Sequence, residues 1–168
     1  MKIAKYINKV ITENLHKQNF KEWFGDSVVI DNSGKPLIVY HGGSKFDVFN
    51  SPEHGDKGIY FTDNYYFALY FAIQNELSER DKRDDYKGVP DEMLDSGDWD
   101  EKYLKYSEVK RAYLKMENPT IVDAIDAKDI PKNYEVGKDG FIAKYTGDFG
   151  YKGGQFVVFN PNQVWIIR

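Results

Sequence analysis

"PLIVYHGG", residues 36–43, decides how this chain is read. An apolar run of strand character ends in a histidine and two glycines, so a strand delivers an imidazole to a stretch of bare backbone. Without side chains at Gly42 and Gly43, a ligand can approach closely and use backbone N–H and C=O groups, while His41 offers one ring donor and one ring acceptor. That combination suits an amide and a ribose. Taken alone, it equally describes a histidine closing a strand beside a turn.

On the N-terminal side, "SVVIDNSGKPLIVYH" (27–41) reads as two strands around an Asn-Ser-Gly turn, a β-hairpin feeding His41. Phe20, Trp23 and Phe24 mark a short helix before it, and Ile3, Tyr6, Ile7, Val10, Ile11 and Leu15 fall at helical spacing, predicting an amphipathic helix over 2–18. On the C-terminal side a polar loop reaches Lys57. "GIYFTDNYYFALYFAIQNEL" (58–77) then begins as a strand and continues as a helix, with Asp63 or Asn64 as its N-cap.

Residues 79–108 are dense in charge and broken by Gly88, Pro90 and Gly97, which predicts a solvated insertion with fragments of helix. Strand character returns in "VKRAYLKMENPTIVDA" (109–124), on both sides of an Asn-Pro turn, in "GFIAKY" (140–145) and in "GGQFVVFNPNQVWIIR" (153–168). Strands gather toward both ends with helices between them, so an α+β domain over 19–168 is expected, preceded by the helix of residues 1–18.

The whole chain limits the chemistry. At 168 residues it holds one domain with a real core. Cysteine is absent and histidine occurs at 16, 41 and 54, which removes thiol nucleophiles and thiolate sites and makes a structural zinc improbable. A net charge of -4 gives no broad grip on phosphate backbones. No window approaches a membrane span and no apolar leader core opens the chain, so a cytoplasmic protein with no membrane partner is expected.

Two further segments carry polar groups at strand edges. Gly58-Ile59-Tyr60-Phe61-Thr62 leads into a helix bearing Tyr65, Tyr66, Tyr70 and Phe71, whose rings can sandwich a flat ligand or simply pack on a sheet. In Gly153-Gly154-Gln155, a glycine pair precedes a neutral amide that donates and accepts hydrogen bonds.

In this order the three segments resemble the ADP-ribosyltransferases of the diphtheria-toxin and poly(ADP-ribose) polymerase type, which use His, Tyr and Glu on three strands around NAD. The similarity is closest to the small branch of phage and mobile-element polyvalent proteins. It is carried by "FKEWFGDS", "GKPLIVYHGG", "GIYFTD", "YLKMENPTIVDA", "DGFI" and "QFVVFNPNQV", over about residues 19–165. The resemblance implies a split pair of small, mainly antiparallel sheets with NAD in the cleft between them. It implies mono-ADP-ribosyl transfer from NAD to a macromolecular acceptor, with release of nicotinamide and no metal, by an effector in a bacterial cytoplasm.

By the same resemblance His41 bonds the adenosine-side ribose, the Gly42 backbone pairs with the nicotinamide carboxamide, and Tyr60 lines the nicotinamide-ribose pocket. Gly43 and Thr62 belong to the cofactor site, and Phe71 stands where relatives carry a stacking tyrosine. Gln155 departs from the family's glutamate, which offsets positive charge as the glycosidic bond breaks. A neutral amide there lowers the rate on the order of 10²–10³. It fits a slow natural enzyme, a catalytically silent module that binds NAD or ADP-ribose, or a deliberate Glu→Gln change in a toxic enzyme.

Acceptor recognition is expected in the loop "TGDFGYKGG" (146–154), through Phe149 and Tyr151. The acidic surface favours a protein acceptor over a nucleic acid. The 43–57 loop, with Glu53, His54 and Asp56, is expected to cover the cofactor.

Overall fold

A computed structural model describes residues 17–46, 49, 58–90, 100–123, 137–148 and 151–167. The helix expected over 2–18 therefore lies almost wholly outside the described residues. Residues 17–24 form helix α1, whose apolar positions are aromatic. Phe20 packs on Tyr113 and Trp165, with ring centroids 4.8 and 5.4 Å away, and Trp23 Nε1 donates to the Asn162 carbonyl at 3.0 Å.

The strands are β1 (Val39–Ser44), β2 (Ile59–Thr62), β3 (Ser107–Leu114), β4 (Thr120–Val122), β5 (Gly140–Asp148), β6 (Tyr151–Val158) and β7 (Val164–Ile166). One long helix, α2 (Tyr65–Arg83), follows β2 after two residues. Asn64 starts it: its side chain accepts the N–H groups of Tyr66 and Phe67 at 2.9 and 3.3 Å, satisfying donors that have no partner inside the helix. The protein is α+β.

The strands join in one sheet, ordered β4-β5-β6-β2-β1-β3-β7 and antiparallel except for β4 beside β5. This corrects the expected split pair of sheets. The two halves are continuous, but only just: β1 and β2 share a single registered pair, Tyr40 with Thr62. By contrast β1 pairs with β3 from Val39–Ala112 to Ser44–Ser107, and β2 with β6 along its whole length. Beyond Tyr40 and Thr62 the sheet is parted.

Side chains alternate across a strand, so register sorts the layers. Val39, Phe61, Ala112, Leu114, Ile142 and Phe156 form one core with Val29 and Met116. On the other face lies α2, which buries Ala68, Ala72 and Ile73 against β1 and β3.

Three expectations are corrected. Residues 27–41 do not form a laddered hairpin; one bridge, Ile30 with Pro36, closes the turn. Pro36 has no N–H to extend a ladder, and the Val28 N–H turns instead to the Met116 carbonyl at 2.7 Å. The segment 146–154 is not a free loop. Its residues 146–148 and 151–154 belong to β5 and β6, with Thr146 opposite Gly153 and Asp148 opposite Tyr151. Finally, the charged run 79–108 is tied in at both ends: its first residues finish α2, Arg80 is buried, and Ser107 starts β3 fully buried. Among the described residues no helix is long and apolar enough to cross a membrane.

Candidate active site

Where β1 and β2 part, a cavity of about 360 Å³ opens on the α2 side. It is lined by Tyr40, His41, Gly42, Tyr60, Phe61, Thr62, Phe67, Ala68, Phe71 and Gln155. Three chain segments far apart in sequence thus bring together His41, Gly42, Tyr60, Thr62, Phe71 and Gln155. Gln155 stands directly across from Thr62 on β6, so both side chains emerge on the same face and enter the cavity from its floor.

His41 reaches the cavity from the face away from α2. Tyr40 and Gly42 face α2, so alternation turns His41 to the opposite face, among Phe46, Phe49 and Phe61. Its ring lies in the parting of the strands, where Nδ1 stands 2.8 Å from the Tyr60 carbonyl oxygen. A carbonyl only accepts, so Nδ1 carries the proton and donates, replacing the ladder bond that β1 and β2 do not make. In the neutral ring Nε2 is then an acceptor, suited to a hydroxyl. Burial holds the imidazole below its ordinary pKa of 6.5 against the opposing effect of the Tyr60 bond, and the Lys110 ammonium lowers it further. The unfolded chain takes the proton first as pH falls toward 6.5, so this group's contribution to stability is present above that range and is lost below it.

Lys110 was not singled out by the sequence. It lies directly opposite His41 in the β1–β3 register, its Nζ 2.6 Å from Glu108 Oε1 and 4.4 Å from the centre of the Phe46 ring. Only strand pairing reveals this, since 69 positions separate the two residues in the chain. The arrangement predicts opposite effects on one titration. In Lys110→Met the His41 midpoint rises, because a repelling charge is gone and Glu108 remains; in Glu108→Gln it falls. NMR titration of the His41 C2 proton, assigned with a His41→Ala control, checks this; movement in the same direction for both variants would contradict it.

The glycines have different tasks. A Cβ on Gly42 would lie 1.7 Å from the Ala68 carbonyl oxygen, so this position is bare because α2 packs onto it. Its absent side chain admits the helix, while the residue itself lines the cavity. Gly43 does not line the cavity; a Cβ there would stand 3.3 Å from His41 Nε2.

The rings on α2 form the cavity's outer wall. Phe67 and Phe71 are 5.1 Å apart, and Tyr151 stacks on Phe67 at 5.7 Å and meets Tyr70 at 5.9 Å. Tyr151 is therefore joined to the wall by packing and not carried on a loop; Phe149, Glu53, His54 and Asp56 lie outside the described residues. Tyr65, at the start of α2, packs edge-on against Tyr40 and its hydroxyl bonds the Glu101 carboxylate. Burial and then that carboxylate push its pKa up to about 12.

Chemically, the cavity is aromatic and offers hydroxyls, an amide and one imidazole acceptor, and among the described residues its lining holds no carboxylate or ammonium. Such a lining accepts a flat uncharged or cationic heterocycle bearing hydroxyl groups and is poor for a bare phosphate. Among the described residues no group of three or more His, Asp or Glu side chains is placed to hold a metal ion. The chain matches no known family profile, and no curated protein matches it.

Proposed function

We propose that this protein transfers a single ADP-ribose from NAD to a macromolecular acceptor and releases nicotinamide. One observation carries the reading: His41, Tyr60 and Gln155, with Thr62 and Phe71, line one cavity where two strands part. These are the residues through which the sequence resembles His-Tyr-Glu ADP-ribosyltransferases. The aromatic wall takes the nicotinamide ring, the Gln155 amide and Thr62 hydroxyl meet the adjoining ribose, and His41 Nε2 accepts a hydroxyl of the adenosine-side ribose.

The acceptor approaches over Tyr151 and Phe71, and the protein acts as a phage or mobile-element effector in a bacterial cytoplasm. A protein acceptor suits the acidic surface better than a nucleic acid does. A second reading, a silent NAD or ADP-ribose binding module, is favoured by the neutral amide of Gln155 where the family it resembles carries glutamate.

The test is NAD binding by calorimetry together with nicotinamide release in bacterial lysate. His41→Ala should weaken NAD binding by about tenfold, the worth of one hydrogen bond to a ligand hydroxyl. Turnover above that control selects the transferase; saturable binding without turnover selects the silent module. No saturable binding rejects both.

A further inference from the structure

Breaking the bond between nicotinamide and ribose moves positive charge onto the ribose, and the neutral Gln155 cannot balance it. Asp63 sets a carboxylate against the strand end that carries Gln155. It directly follows Thr62, the strand partner of Gln155. Its Oδ1 accepts the Gly154 N–H at 2.8 Å.

This side chain crowds the glycine pair before Gln155, together with Asn64 Cβ, 3.1 Å from a Cβ on Gly153, and the Phe156 ring, 3.2 Å from one on Gly154. A Cβ on Gly153 would lie 2.6 Å from Asp63 Oδ1 and 3.6 Å from Thr62 Oγ1; one on Gly154 would lie 3.1 Å from Oδ2. Gly153 and Gln155 are two apart on β6, so their side-chain directions share the cavity's face of the sheet. A carboxylate oxygen therefore occupies the space that a side chain two residues before Gln155 would fill, beside a hydroxyl that lines the cavity. Packing against this backbone raises the Asp63 pKa, with the Gly154 bond opposing.

We propose that Asp63 is the counter-charge of this site, supplying across the β2–β6 pair the negative field that position 155 lacks. The inference rests on the transferase reading. As the C1′–N bond breaks, its electron pair leaves with nicotinamide, whose ring becomes neutral, and the charge passes to the ribose in the field of Asp63. Water or an acceptor hydroxyl then adds at C1′ and gives its proton to solvent. Asp63 acts through space and is an electrostatic positioning group, not a proton carrier.

Asp63→Asn removes the charge and keeps an oxygen for the Gly154 N–H, which separates the field from the clamp. Nicotinamide release and calorimetric NAD binding are measured for the protein, Asp63→Asn, Gln155→Glu and the double variant. Asp63→Asn is expected to lower kcat about 10²-fold, as for loss of one electrostatic stabiliser, with NAD affinity within about twofold. Gln155→Glu is expected to restore most of that loss in the Asp63→Asn background, because the two carboxylates share one task.

Failure of Gln155→Glu to rescue, or release by Asp63→Asn within about twofold of the parent, leaves Asp63 a backbone clamp and overturns the proposal. A silent parent with an active Gln155→Glu variant also overturns it while the transferase reading stands. Silence in all four proteins removes the transferase reading and the proposal with it.

Discussion

Gly42→Ala is expected to destabilise the protein by about 3 kcal/mol or more, lowering Tm on the order of 10 °C. The added methyl would meet the Ala68 oxygen at 1.7 Å, the Ala68 carbonyl carbon at 2.7 Å and the Ala72 nitrogen at 2.9 Å. All three are backbone atoms of one helix, so no rotamer change relieves the clash. Either α2 lifts by more than an ångström or β1 bends away from it.

Both routes open the layer in which Ala68 and Ala72 are fully packed, at 2% and 0% exposure. Close-packed interiors cannot absorb such a gap cheaply. Because Phe67, Ala68 and Phe71 wall the cavity, the same displacement deforms it, and under the proposed function it should abolish saturable NAD binding. Gly43→Ala is the control. Among the described residues its methyl meets only the His41 ring, at 3.3 Å, a contact relieved by a shift of a few tenths of an ångström, and the Tm should stay within about 2–4 °C, roughly 1 kcal/mol. Thermal unfolding followed by circular dichroism decides it; equal Tm values for the two variants would refute the packing account of Gly42.

The two glycines show what a sequence displays and what it hides. Side-by-side in "HGG", they have the same local chemistry and the same permissive backbone. One answers to a helix more than 25 positions downstream and the other to its own neighbour's ring. The signal for the first was present in "YYFALYFAIQ", where two alanines interrupt a run of bulky residues at helical spacing. Nothing local pairs those alanines with Gly42.

Alternation and turn residues made β3 through β7, the β2–α2 step and the Asn64 cap legible, because each depends on neighbours within a few positions. Strand order was not legible, being a matter of long-range pairing. Hence the expected two sheets proved to be one, held together at Tyr40 and Thr62. The candidate site was legible as three strand-edge motifs, since a polar group beside glycine stands out from an apolar strand. Its electrostatics were hidden: Lys110 enters only through register, opposite His41.

The charged run 79–108 was misread at its edges for a related reason. Charge density normally marks solvent, yet Arg80 is 3% exposed and its partner Glu76, just before the run, 0%. They continue, four residues at a time, the line of Ala68 and Ala72 along α2, so the helix face that meets β1 ends in an ion pair. A sequence shows that these positions lie on the buried stripe, but not what would satisfy a charge placed there.

Glu76→Ala is accordingly expected to cost about 3–5 kcal/mol, the scale for removing one partner of a buried pair. The carboxylate does four things at once. Oε1 takes Arg80 Nε at 2.6 Å and the Lys105 N–H at 3.0 Å, while Oε2 takes the N–H groups of Tyr106 and Ser107 at 2.7 and 2.9 Å. Alanine strands three backbone donors and a guanidinium, and each unmade buried bond carries its own desolvation penalty.

Arg80→Met should cost less. It releases the carbonyls of Asp85 and Tyr103, held at 2.7 and 3.0 Å, but leaves Glu76 bound by its three backbone donors. The double replacement separates two accounts of the pair. If the charges mattered mainly to each other, Glu76→Leu with Arg80→Met would recover most of the loss, as apolar substitution of buried ion pairs often does. If the carboxylate's main partner is the backbone of 105–107, the double variant stays near the Glu76→Ala level, because methionine and leucine offer those N–H groups nothing. The four-bond geometry favours the second outcome, and chemical denaturation of the three variants measures it. Since this backbone leads directly into β3, and β3 places Lys110 opposite His41, the loss should also move the His41 titration.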